Sequence, residues 1–141
     1  MFKSLGLTFV ISSVVLLLLD AAWLGTTVNI LYRPSMAGLM RDDVNLAAGA
    51  GFYVIYAFAL SAVVIHPAVF RDRVAWSGLV IKSALFGLAA FATYDLTGLA
   101  VIRGWSPLLS AIDMGWGTFA AVTASLATAM VLRLTKAAPA R

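Results

Sequence analysis

Residues 75 to 102 read AWSGLVIKSALFGLAAFATYDLTGLAVI. The stretch holds two charged side chains, Lys82 and Asp95, and carries no polar stripe at helical spacing. A helix of a water-soluble bundle keeps a polar face over its whole length. A helix that crosses the ~30 Å hydrocarbon core of a membrane needs only about 20 mostly apolar residues. The stretch therefore reads as a transmembrane helix, and that reading decides the fold.

Working outward, three further stretches have the same character. With 75–102, they are 5–31, 44–66 and 107–132. Composition agrees: 62% of the 141 residues are hydrophobic and 11% charged, against about 25% charged in ordinary soluble domains. The expectation is an all-α integral membrane protein, a bundle of four transmembrane helices forming one domain over residues 1–141. The connections combine proline and charge: RPS at 33–35 followed by RDD at 41–43, HPAVFRDR at 66–73, and RGWSP at 103–107. The opening MFKSLGLTFVISSVVLLLL is read as a span and not as a cleaved leader, because no small-residue cleavage pattern follows it and the apolar run resumes beyond Asp20.

Composition also excludes chemistry. Ten Lys and Arg against six Asp give a net charge of +4, but the basic residues are scattered near segment ends and make no stripe for a phosphate backbone. Nucleic acid is not an expected partner; the lipid bilayer is. The absence of cysteine removes disulfide exchange, thiolate catalysis and zinc–thiolate sites. No cofactor or metal is expected. Lys3, Arg71, Arg73, Arg133, Lys136 and Arg141 flank one side of the spans and Arg33, Arg41 and Arg103 the other. By the positive-inside rule both termini are cytoplasmic, in a bacterial inner membrane. Lys82 is close enough to that side to snorkel.

At 1.5 Å per residue, Asp95 comes out ~10 Å deep from the outer side, Asp113 ~9 Å and Asp20 ~16 Å. A charged side chain at helix centre costs roughly 2.5 to 3.5 kcal/mol on insertion scales. Three carboxylates in one layer are therefore expected to turn inward and to cluster.

Neighbouring residues fit a shared site. Asp20, Trp23 and Thr27 recur along one face of the first span, Asn45, Gly49, Tyr53 and Tyr56 along the second, and Asp113, Trp116 and Gly117 along the fourth. The segments DAAWLGT at 20–26 and DMGWGT at 113–118 echo one another, each with an aspartate three residues before a tryptophan. These two spans run in opposite directions, the arrangement of inverted repeats that frame a central site in transporters. The candidate binding set is Asp20, Trp23, Asn45, Tyr53, Tyr56, Tyr94, Asp95, Asp113 and Trp116. Trp105, beside a loop, is read as an interfacial aromatic. His66 is assigned to the opposite interface, at a depth that rules out a shared metal site with the aspartates. Small residues at 49–52, 87–92 and 115–125 are expected to let helices approach closely.

The segments FYVIY at 52–56, TYDLTGLA at 93–100 and IDMGWGT at 112–118 together resemble a family of small four-span bacterial membrane proteins catalogued as a domain of unknown function. The resemblance covers nearly the whole chain, including the aspartate and tryptophan of the first span. It implies the fold and the membrane location, and no activity. Members of that family usually carry asparagine where Gly98 stands here.

Three readings of function stay open from the residues. One is a small transporter or permease whose buried aspartates exchange protons against a cation, with aromatic walls from Trp23, Tyr53, Tyr94 and Trp116 and a homodimer to complete the path. Another is a membrane-embedded enzyme acting on a lipid. The third is a subunit or assembly partner of a larger membrane complex, its aspartates satisfied within the bundle, by Arg103 reaching Asp95, or by a neighbouring protein.

Overall fold

A computed structural model describes residues 2–70, 74–135 and 137. Four helices are long and apolar enough to cross a membrane: α1 (Phe2–Ser35), α2 (Leu46–Val69), α3 (Trp76–Val101) and α4 (Pro107–Leu134). The described residues contain no strand. The two short connections, 36–45 and 102–106, lie at one end of the bundle, called the connection end below. The opposite end is the terminus end.

The helices start where local chemistry allows. The Asn45 side chain accepts the Ala48 N–H at 3.1 Å and so caps α2. Ser106 does the same for Leu109 at 3.2 Å, with Pro107 in the first position of α4. The tight turns between helices use left-handed backbone at Gly38 (φ 81°) and Gly104 (φ 85°), which glycine adopts without steric cost.

The α1 boundary differs from the sequence expectation. Arg33-Pro34-Ser35, read as a connection, is helical. Proline inside an α-helix clashes with the carbonyl four residues back. Here the chain widens into a π-helical turn, Val28–Tyr32, closed by an Arg33 N–H bond to the Val28 carbonyl. The same device recurs in α2. Leu60–Ile65 is π-helical and closed from His66 N–H to the Ser61 carbonyl, one residue before Pro67. Both helices pass their proline instead of ending at it.

α4 is the most buried helix and packs along both α3 and α1. Its contact with α3 is close because glycines face each other: a Cβ on Gly87 would strike the Gly117 backbone, and one on Gly117 would strike the Phe91 ring. The GAGF segment behaves otherwise. Gly49 and Gly51 meet nothing within 4 Å of a built Cβ, so they are not packing positions. The core towards the terminus end is made of Leu16, Ala57, Leu60, Ile65, Leu79, Ala121, Ala124 and Leu132, all at most 2% exposed. Phe2, Val10, Leu18, Ile55 and Leu134 are among many large apolar side chains left on the outside, as a lipid-facing surface requires.

Polar contacts also tie the spans together. Ser12 and Ser61, both fully buried, share a hydrogen bond of 2.7 Å between α1 and α2, and Ser4 Oγ meets His66 Nε2 at 3.0 Å. His66 stacks on Phe70. Lys82 is exposed. Among the described residues the one ion pair is Arg41–Asp43, at 3.1 Å in the connection, so Arg103 does not pair with Asp95. Of the basic residues used to orient the chain, Arg71, Arg73, Lys136 and Arg141 lie outside the described residues.

Candidate functional site

The two Asp-x-x-Trp segments meet. Trp23 of α1 and Trp116 of α4 stack face to face, with ring centroids 4.4 Å apart and planes 7° from parallel. Each indole then serves the carboxylate of the other segment. Trp116 Nε1 donates to Asp20 Oδ1 at 2.9 Å. Trp23 Nε1 donates to the Tyr32 hydroxyl at 2.9 Å, and that hydroxyl donates to Asp113 Oδ1. The link from one aspartate to the opposite tryptophan is direct on one side and passes through a phenol on the other.

Local structure explains why these groups can meet. Asp20 and Trp23 lie one turn apart on α1, as do Asp113 and Trp116 on α4. Tyr32 is different. Nine residues are about two and a half α-helical turns, which would put Tyr32 on the face opposite Trp23. The π turn at Val28–Tyr32 takes more residues per turn and reduces that rotation, so the phenol comes round to the tryptophan.

These residues line a cavity of about 400 Å³ in the half of the bundle nearer the connection end, within the size range of small-molecule sites. Its wall is completed by Leu24 of α1, Phe52 and Tyr53 of α2, and Ala90, Phe91 and Tyr94 of α3. All four spans contribute. Two carboxylates face a space otherwise bounded by aromatic and aliphatic groups, and among the described residues no Lys or Arg lines it. Asp113 is 6% exposed and Asp20 is half-buried. One oxygen of each carboxylate is held by an indole or phenol, which fixes its direction.

Six of the nine residues singled out from sequence line this cavity: Asp20, Trp23, Tyr53, Tyr94, Asp113 and Trp116. Three do not. Asn45 is exposed and spends its side chain on the α2 cap. Tyr56 is buried, packed edge-on against Phe86 and Phe91, and its hydroxyl has no hydrogen-bond partner. Asp95 is wholly buried but lies outside the cavity wall. Trp105 stands nearby, its indole N–H on Ser110 Oγ at 3.0 Å and its ring laid on Gly98, where a Cβ would come within 2.6 Å of it. The expected triad of carboxylates is thus a pair with a third, separate buried member. Among the described residues no three His, Cys, Asp or Glu side chains gather closely enough to hold a metal ion. Tyr32, Phe52 and Phe91 are wall residues that the sequence reading missed.

The chain belongs to the family described as a predicted membrane protein, DUF2177, whose model matches residues 5–130. No curated protein and no solved structure matches it.

Proposed function

We propose that this protein is a cation-binding protein of transport type in the bacterial inner membrane, with both termini cytoplasmic and the cavity in the outer half of the bundle. The single observation that carries the reading is the composition of the cavity wall: Asp20 and Asp113 face it, and among the described residues no basic side chain does. Ionised carboxylates in an apolar membrane interior require a compensating positive charge. The rings of Trp23, Trp116, Tyr53 and Tyr94 line the cavity, and aromatic surface of this kind attracts organic ammonium groups. The volume suits one small organic cation better than a bare inorganic ion. Buried Leu16 and Tyr56 stand on the terminus side of the site, so passage across the membrane needs a rearrangement and not a standing pore.

Because Trp23 and Trp116 form part of the wall, their fluorescence reports occupancy. Titration with choline is expected to change the emission of the purified protein, whereas the uncharged isostere dimethylbutanol is expected to act at least about tenfold more weakly. Asp20→Asn and Asp113→Asn are each expected to remove that preference. Equal response to the two probes, or a preference that survives both substitutions, overturns the reading.

A further inference from the structure

The cavity wall includes side chains that are exposed although they stand well inside the spans. Leu24 is 39% exposed, Phe52 45% and Tyr94 55%. Counted from the connection ends of α1, α2 and α3, they lie roughly 9 to 16 Å along their helices. At that depth the surrounding medium is acyl chain, so their outer surfaces meet lipid.

The first turns of α2 show how the cavity comes to be open on that side. From Leu46 to Ile55 every residue is exposed except Gly49 and Tyr53. Gly49 and Gly51 have open space where a Cβ would stand. This part of α2 is therefore loosely packed, while the rest of the helix is fixed by the buried Ser12–Ser61 bond. Phe52 stands at the mouth.

From this geometry we infer that the cavity is filled from the bilayer and that its ligand is an amphiphile: a cationic head group between Asp20 and Asp113, with an alkyl chain leaving past Phe52 into the lipid. The inference rests on the cation-binding reading and adds to it the chain and the route. Charge complementarity fixes the head, because two carboxylates with no basic neighbour among the described residues reject an anionic lipid head. The exposed apolar mouth fixes the tail.

The test uses the full-length protein in phosphatidylcholine vesicles, with Trp76→Phe and Trp105→Phe so that Trp23 and Trp116 alone emit. Lipids brominated along the acyl chain are expected to quench the pair more strongly than aqueous iodide does. Dodecyltrimethylammonium is expected to relieve that quenching at about a tenth or less of the concentration at which tetramethylammonium acts, because the chain adds buried apolar area. Quenching by iodide alone overturns the bilayer route. Equal potency of the two ammonium ions overturns the amphiphile while leaving the cation reading intact. Relief by dodecanol as effective as by dodecyltrimethylammonium overturns the cationic head and the cation reading together, while acyl-chain quenching remains as the mark of the route. Should the double phenylalanine variant fail to fold, the wild-type emission difference on adding dodecyltrimethylammonium supplies the same comparison.

Discussion

Trp116 donates its indole N–H to Asp20 at 2.9 Å while its ring lies flat against Trp23, the residue one turn beyond that aspartate. One side chain thus supplies both a directional bond to the carboxylate and half of the aromatic wall. The two roles separate on substitution. Trp116→Phe keeps an aromatic face and loses the bond, and is expected to lower stability by about 1 to 3 kcal/mol, the range for losing a hydrogen bond to a charged group. Unfolding in mixed detergent measures it. Asp20→Asn retains an acceptor oxygen and is expected to cost less than Trp116→Phe in the same assay.

Tyr32 holds two partners at once, the Trp23 indole and the Asp113 carboxylate. Tyr32→Phe breaks both bonds with the loss of a single oxygen. A larger loss of stability than in Trp116→Phe is expected, along with a change in tryptophan emission, since the Trp23 N–H is left without its acceptor. A melt equal to wild type would show that the bridge is not formed in the membrane.

Glycines sort into two classes by what surrounds them. Gly87→Ala forces a methyl group into the Gly117 backbone and is expected to destabilise by about 1 to 3 kcal/mol, as overpacking does. Gly49→Ala and Gly51→Ala place theirs in open space, and each is expected to be neutral or to stabilise α2 by up to about 1 kcal/mol through the higher helix propensity of alanine. Comparing the three melts tests the packing of α3 on α4 and the looseness of early α2 together.

Asp95 separates the pair from the expected triad. Leucine branches as aspartate does, so Asp95→Leu removes a wholly buried carboxyl group without opening a cavity. The unfolding midpoint is expected to hold or to rise, and choline binding is expected to match wild type because Asp95 is not in the cavity wall. Loss of binding in Asp95→Leu with an unchanged melt would restore the third carboxylate to the site.

Much of this arrangement was legible from residue order. Charge-poor stretches of more than twenty residues leave little alternative to spanning helices, and the family match over residues 5–130 fits the same reading. The echo of Asp20–Trp23 in Asp113–Trp116 pointed to segments that meet, since each pair sits one turn apart on its helix. Tyr32 escaped notice because helical periodicity assumes one residue spacing throughout, and a π turn breaks that spacing just before Pro34. Asn45 was grouped with the site on periodicity, although a polar residue just before an apolar run is also what a helix cap looks like. Asp95 has the depth of the other two carboxylates, but depth fixes only the position along the membrane normal. Which way a residue turns around its helix depends on contacts between helices, here the glycine seam between α3 and α4.

The bond from Trp116 to Asp20 joins positions 96 apart in the chain. During synthesis the first span enters the lipid long before its partner exists, and Asp20 must wait there without the indole that later receives it. A nascent chain cut before the last span has two of the walls' tryptophans' tasks undone: no stack and no donor. The site therefore forms only after α4 has inserted, and its fluorescence signature marks the moment at which α1 and α4 find each other.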